Sequence, residues 1–345
     1  CGTKGRAPYR GVLTHGFTLD EKGMKMSKSL GNTVAPQEVI DEYGADILRL
    51  WVAQSYYTID LRIGKEILKG VADSYRRLRN TLRYLLGALK DFSDAERVDI
   101  ADMPEGERFI LHRLAELDVE VREGYTKYDF QGVFQKLFTF ATTDLSAVYF
   151  DIRKDVLYCD APTSLRRRAC RTVLDILFHR LTIWLAPVLV FTMEEVWLER
   201  FPGEGSSVHL MDFPETPASW LDKDLAATWE ALRDARRVVT GALEVQRTAK
   251  VIGSSLEAAP QVFVSPTLAA LLGQVDFADL CITSGITIRS DAAPEGAFAL
   301  ADVPGVAVVF QPAVGQKCER CWQILPDVGT HKHPATCQRC NDALG

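Results

Sequence analysis

The sequence predicts a multidomain protein in which the end of a parallel α/β core is followed by an all-α bundle and a small α+β element with a zinc-ribbon-like tail. Three observations predict this order. A glycine-flanked, lysine-rich loop follows an alternating segment early in the chain. Apolar residues then recur at helical spacing over most of residues 65–250. Two Cys-x-x-Cys pairs lie beyond residue 315.

Length and composition set the outer limits. A chain of 345 residues is long enough for two or three domains. Its 47% apolar and 25% charged residues are ordinary for a soluble globular protein, and no apolar run is long enough to span a membrane. The net charge of -6 argues against a nucleic-acid partner, but residues 1–90 carry 15 Lys and Arg against 9 Asp and Glu. This local positive charge favours a protein that grips phosphate in one region.

The first predicted domain covers residues 1–62. Alternation over Arg10–Thr18 predicts a strand that leads into a loop at residues 20–32. Helices are predicted from Pro36 and over Ala45–Gln54, beside the end of a parallel core. Because the chain starts at Cys1 within sequence typical of a domain interior, we expect a piece of a longer protein.

The loop contains the most informative residues of the chain, Lys25-Met26-Ser27-Lys28-Ser29. Two ammonium groups three residues apart can follow a polyphosphate leaving group as it gains negative charge. Gly23 and Gly31 would give the loop backbone freedom. The lysine spacing alone leaves two alternatives open, a phosphate-binding loop and a solvated surface turn.

Residues 63–250 predict an antiparallel helix bundle. The first long amphipathic stretch begins at Lys65. Further stretches cover Glu107–Tyr125, Phe130 to about Val156, Leu165–Trp184 and Leu225 to about Ala249. Thr192 and Glu195 have the spacing of a capping box that opens a further helix. On the first long helix Arg76, Arg79 and Arg83 align on one face, which could bind RNA phosphates or simply face solvent.

The next segment, residues 251–314, predicts a small α+β element with strands at Gln261–Val264, Cys281–Arg289 and Val306–Phe310 and a helix at Pro266–Gly273. Apolar surroundings predict core positions for the isolated cysteines and for three tryptophans. These are Cys159, Cys170, Cys281, Trp184, Trp197 and Trp229.

Residues 315–345 predict a zinc module. Cys318, Cys321, Cys337 and Cys340 form two pairs separated by fifteen residues, and four thiolates leave no open position on the metal. We therefore expect one structural Zn²⁺ per chain. Two local disulfides, free thiols, or a histidine ligand from His331 or His333 in place of a cysteine are the alternatives. Reduced thiols indicate a cytoplasmic protein.

A resemblance extends these expectations. The loop Lys25–Ser29 matches the KMSKS signature of class I aminoacyl-tRNA synthetases, and its surroundings resemble the bacterial-type isoleucyl-tRNA synthetases. The similarity also covers residues 9–17, 44–51, 73–81 and the terminal cysteines, which is nearly all of the chain.

The resemblance implies a domain order and an activity. Residues 1–62 would end a Rossmann-like class I catalytic domain, 63–250 would bind the anticodon region of tRNA, 251–314 would be the α+β element and 315–345 the zinc module. The complete enzyme, expected to be a monomer, would activate isoleucine with ATP and Mg²⁺ and transfer it to tRNA(Ile), with an editing domain outside these residues.

The resemblance also assigns residues. Lys25 and Lys28 would be catalytic and would bind ATP together with Met26, Ser27 and Ser29. Arg76, Arg79 and Arg83 would contact tRNA. The second family signature, His-x-Gly-His, does not occur in these residues, so we expect the 345 residues alone to be inactive. The alternatives are a valyl or leucyl synthetase, a non-catalytic tRNA-binding zinc protein, and a zinc-ribbon interaction module.

Overall fold

The computed structural model describes Gly2 and residues 4–345, which form two units. The first unit comprises the described residues up to Gly87 together with Leu117–Asp144 and Ile176–Glu215. The second comprises Ala88–Glu116, Leu145–Asp175 and Thr216–Gly345.

Helices dominate the described chain. They are α1 (Pro36–Tyr43), α2 (Ala45–Gln54), α3 (Lys65–Ala88), α4 (Glu105–Thr126), α5 (Phe130–Thr139), α6 (Phe150–Cys159), α7 (Leu165–Leu185), α8 (Val190–Arg200), α9 (Lys223–Thr248), α10 (Pro266–Leu272), α11 (Phe277–Cys281) and α12 (Gln338–Leu344). The strands are β1 (Thr18–Leu19), β2 (Leu61–Arg62), β3 (Gln261–Val264), β4 (Thr287–Arg289), β5 (Val306–Val309), β6 (Gln316–Lys317) and β7 (Ile324–Leu325).

The α/β part of the first unit contains the parallel pair β1 and β2, with Thr18 opposite Leu61. The predicted strand over Arg10–Thr18 is wrong before Thr18, because residues 10–17 form no strand ladder; Gly16 donates its N–H to the Tyr57 carbonyl at 2.9 Å instead. The predictions for α1 and α2 are confirmed. Trp51 of α2 is buried, and its Nε1 donates to the Arg62 carbonyl at 2.9 Å, which fixes α2 against β2.

The start of α8 corrects another prediction. Thr192 lies inside α8 and is not its N-cap. The buried carboxylate of Asp46 accepts the Thr192 backbone N–H at 2.7 Å and its hydroxyl at 2.6 Å. A side chain from α2 therefore supplies the acceptor that a local capping box would have provided. Sequence spacing could not reveal a partner about 146 residues away.

The long helices are confirmed within two or three residues, except that the one predicted over Phe130–Val156 is not uniform. Its middle, Phe140–Tyr149, is a π-helical segment between α5 and α6. Nothing in the sequence of this segment explains the wider turns. The three tryptophans predicted to be core residues are buried, as are the three isolated cysteines.

The second unit contains a three-stranded sheet of order β4-β3-β5, in which β3 is parallel to β4 and antiparallel to β5. The predicted strand Cys281–Arg289 is wrong over its first part. Asp276 caps α11 by accepting the Asp279 N–H at 2.9 Å, and Ile282 ends that helix in the left-handed region with φ 57°. Only Thr287–Arg289 pairs with β3.

A buried ion pair crosses the helical core of the second unit. The fully buried Glu107 carboxylate receives the Arg153 guanidinium at 2.7 and 2.9 Å and the Tyr149 hydroxyl at 3.1 Å. Bidentate geometry offsets part of the cost of removing these charges from water. Among the described helices, none combines the length and apolar character that a membrane crossing requires.

Candidate functional site

The lysine loop begins at the end of β1. The chain turns at Asp20–Gly23, and Lys25 forms an antiparallel bridge with Leu19. Residues Lys28–Leu30 form one 3₁₀ turn, after which Gly31 adopts φ 62° and reverses the chain. Any side chain at position 31 would be strained at this φ. This geometry agrees with the expectation that Gly31 supplies backbone freedom to the loop. The side chains of Lys25 and Lys28 are exposed.

Two polar residues that the sequence analysis did not single out hold this loop. Asp20 accepts the N–H groups of Lys22 and Met24 at 3.0 and 2.7 Å. Its other carboxylate oxygen accepts the Asn32 side-chain amide at 2.9 Å. The hydrogen bond from Asn32, followed by that from Met24, lowers the pKa of Asp20. Asp20 is therefore held as a carboxylate at neutral pH.

The loop is also attached to the start of α3. The carboxylate of Glu21 accepts the Glu66 N–H at 3.1 Å, and Gly64 passes so close to Glu21 that an added Cβ would lie 2.5 Å from the Glu21 Cβ. A carboxylate at a helix N-terminus satisfies an otherwise unpaired N–H and interacts favourably with the helix dipole. The base of the loop is therefore fixed on two sides.

Arg76, Arg79 and Arg83 all lie on the exposed face of α3, opposite the buried Leu78 and Leu82. The Arg76 guanidinium is 2.7 Å from the Asp73 carboxylate, but both side chains remain largely exposed. The face is available to an anionic partner.

The four terminal cysteines come together as the spacing predicts. Cys318 and Cys321 lie on the hairpin formed by β6 and β7, whereas Cys337 and Cys340 lie at the start of α12. Their four Sγ atoms lie within 4.8 Å of one another, and each residue is at most 7% exposed. The Cys321 and Cys337 Sγ atoms are 3.7 Å apart, which matches the roughly 3.8 Å expected between thiolates bound to one tetrahedral zinc with bonds of about 2.3 Å.

The local electrostatics also suit a metal. Burial opposes ionisation of Cys318, but neighbouring backbone N–H groups outweigh it and lower its pKa to about 6. One of these donors is the Cys337 N–H, 3.4 Å from the Cys318 Sγ. Burial and the nearby Cys337 raise the pKa of Cys340 to about 12. Four crowded thiols cannot all ionise without a cation, so the chemistry of this donor set fits zinc.

The described metal-type cluster contains cysteines only, and His331 instead contacts Asp327 at 3.0 Å. The residues between the cysteines attach the cluster to the end of α6. Arg320 donates to the Cys159 carbonyl at 2.6 Å, and Arg339 forms a bidentate pair with Asp155. Sequence spacing identified the cysteines but gave no signal for these two arginines.

Three family models match successive parts of the chain. Residues 1–64 match tRNA synthetases of class I (I, L, M and V), and residues 107–262 match the anticodon-binding domain of tRNA ligase. Residues 315–343 match the zinc finger found in FPG and IleRS. The arginine face of α3 lies between the first two matches.

Curated relatives match over nearly the whole chain. Isoleucine–tRNA ligase of Ruegeria pomeroyi is 68% identical over 347 residues, which is 100% of this chain and 36% of that protein. The chain belongs to the isoleucine–tRNA ligase family. The isoleucine–tRNA ligases of Brucella abortus (57% identical, 95% of this chain, 34% of that protein) and Agrobacterium fabrum (55% identical, 96% and 34%) are similar to it as well.

Membership of this family agrees with the structure. The chain spans about a third of the length of these isoleucine–tRNA ligases. Its parts are the remnant of a class I catalytic domain, a helical anticodon-binding domain and a cysteine cluster that fits structural zinc.

Proposed function

We propose that this chain is the part of an isoleucine–tRNA ligase that supplies the ATP loop, the tRNA-binding helices and a zinc module. The enzyme activates isoleucine with ATP and Mg²⁺ and transfers the aminoacyl group to tRNA(Ile). The observation that carries this proposal is the 68% identity to an isoleucine–tRNA ligase over the whole chain. The zinc-finger match supports isoleucine over valine or leucine as the substrate.

The loop contributes to the first step, in which the isoleucine carboxylate attacks the α-phosphate of ATP and pyrophosphate leaves. We assign ATP binding to Lys25, Met26, Ser27, Lys28 and Ser29. Lys28 contacts the phosphates directly, and Lys25 supports the loop and adds positive charge. Their exposed ammonium groups can move with the departing pyrophosphate, where charge develops in the transition state.

The remaining parts bind and support tRNA. We assign phosphate contacts to Arg76, Arg79 and Arg83, which give affinity without reading bases. Cys318, Cys321, Cys337 and Cys340 hold one Zn²⁺, which cross-links the hairpin and α12 and takes no part in the reaction. Because these ligands must stay reduced, we place the enzyme in the cytoplasm.

Isoleucine-dependent exchange of pyrophosphate into ATP by a full-length polypeptide that carries this chain tests the proposal. We expect exchange with isoleucine, weaker exchange with valine by roughly 10- to 200-fold in kcat/KM, and charging of tRNA(Ile). Preferential activation of leucine or valine would assign the chain to the other synthetases. Absence of any amino-acid-dependent exchange, with tRNA binding retained, would favour the non-catalytic alternative.

A further inference from the structure

The ATP loop leaves β1 and returns toward α1. The positions of its two lysines therefore depend on the contacts that join the two ends of the loop. The role of the loop in binding ATP is taken here from the proposed function. The β1 end is fixed by the ladder with β2, in which the Leu61 N–H donates to the Phe17 carbonyl at 2.7 Å. Beyond Lys25 the loop has no strand partner among the described residues.

Asn32 joins the two ends. Its side-chain oxygen accepts the Ser27 N–H at 2.9 Å, and its amide donates to the Lys25 carbonyl at 3.2 Å and to Asp20 at 2.9 Å. One half-buried amide therefore binds the backbone on both sides of Met26 and ties it to the turn after β1. A hydrophobic side chain of similar size could make none of these three contacts.

These hydrogen bonds constrain Lys28. The 3₁₀ turn of Lys28–Leu30 begins one residue after the N–H that Asn32 holds, and Gly31 then directs the chain back to Asn32. The hydrogen bond between Ser27 and Asn32 closes a small ring of chain. The orientation of this ring relative to β1 therefore depends on the hydrogen bonds that Asn32 makes. Displacement of a catalytic group by about 1 Å can cost roughly 100-fold in rate.

We propose that Asn32, oriented by Asp20, is a positioning residue that sets the Lys25–Ser29 loop in the geometry needed to bind the phosphates of ATP. Asn32 itself does not touch the substrate. It orders the loop before ATP arrives, so that less conformational entropy is lost when the lysines bind.

The test uses the full-length enzyme and isoleucine-dependent pyrophosphate exchange, with Asn32→Ala compared with Thr33→Ala, an exposed neighbour. We expect kcat to fall roughly 10- to 100-fold in Asn32→Ala, with the KM for isoleucine within about twofold of wild type. Trypsin cleavage after Lys25 and Lys28, with and without ATP, supplies a second readout. We expect ATP to protect the wild-type loop and to protect Asn32→Ala poorly.

A swap of the pair separates positioning from general stability. In Asn32→Asp two carboxylates face each other, whereas in Asp20→Asn with Asn32→Asp the amide of position 20 can donate to position 32. The swapped side chain at 20 keeps an oxygen for the Lys22 and Met24 N–H groups, whereas the hydrogen bond to the Lys25 carbonyl is replaced by a contact between two acceptor oxygens. We expect the double variant to recover at least about tenfold in kcat over Asn32→Asp.

The outcomes distinguish this inference from the proposed function. Wild-type exchange with a strong loss in Lys28→Ala but undiminished kcat and ATP protection in Asn32→Ala would overturn the positioning role alone. A double variant no better than Asn32→Asp, with both proteins folded by circular dichroism, would also overturn it. Absence of exchange in wild type, or full exchange in Lys28→Ala, would instead contradict the proposed function.

Discussion

Replacement of Cys337 by serine removes one of four thiols from the terminal cluster, and the structure predicts a large effect. The four residues are buried, and a serine hydroxyl does not ionise to replace the thiolate. Without metal the tail has little to hold it together, since β6 and β7 have two residues each and α12 has seven. Elements of this size are not stable alone. Zinc contributes about 10–16 kcal/mol of apparent free energy to comparable small modules.

Metal analysis and amide hydrogen exchange measure this effect. We expect about one zinc per wild-type chain, loss or severe weakening of binding in Cys337→Ser, and faster exchange confined to residues 315–345. The matched control is Cys159→Ser. The Cys159 thiol is buried beside the cluster and donates to the Arg320 carbonyl at 3.5 Å, but it lies outside the group of four. Unchanged zinc affinity in Cys337→Ser, or equal zinc loss in Cys159→Ser, would refute the four-thiolate site.

Three further predictions concern other parts of the chain. Arg153→Met removes the cation that pairs with the buried Glu107 carboxylate and should lower the free energy of unfolding by about 3–5 kcal/mol in urea titrations. The control is Lys154→Ala, which breaks only the exposed pair with Asp151 and should change the free energy of unfolding by less than about 1 kcal/mol. In the full-length enzyme, the double variant Arg79→Ala with Arg83→Ala should weaken tRNA binding. The slope of the logarithm of the binding constant against the logarithm of salt concentration should become shallower by roughly 0.7 to 0.9 for each phosphate that the variant no longer neutralises. An unchanged slope would show that these residues lie outside the tRNA site. The pKa of Asp20 is lowered in the folded state, so the ionised Asp20 stabilises the fold at pH values above the ordinary carboxyl pKa, and this stabilisation is lost as pH falls through the lowered pKa. In NMR titrations, Asp20 should protonate at a higher pH in Asn32→Ala than in wild type. An unchanged titration would contradict the Asn32 contact.

The sequence predicted those features that depend on residues close together in the chain. Helical periodicity located α2 and α9 to within about two residues, because the apolar stripe of each helix is written into its own residues. The cysteine spacing likewise located the cluster of four cysteines, since each pair lies within one turn of chain. Beta structure was less accessible. The strand predicted at Arg10–Thr18 depends on a partner, and the ladder begins only at Thr18.

The contacts that the sequence could not reveal are those between distant residues. Asp46 caps α8, Arg339 pairs with Asp155 and Asp20 binds Asn32, and none of these partners follows a fixed spacing. Each partner is an ordinary charged or amide residue that composition alone would assign to the surface. Their roles depend on the tertiary fold, which brings a single acceptor next to an unsatisfied N–H group.

The measurement that tests the central claim most directly is pyrophosphate exchange by the full-length enzyme with Lys25→Ala and Lys28→Ala combined. Lys22→Ala is the control, because Lys22 is exposed on the same turn and its hydrogen bond to Asp20 comes from the backbone N–H, which the substitution keeps. We expect exchange to fall at least about 100-fold in the double variant and to stay within about twofold in the control. Undiminished exchange in the double variant would contradict the assignment of this loop to the phosphates of ATP.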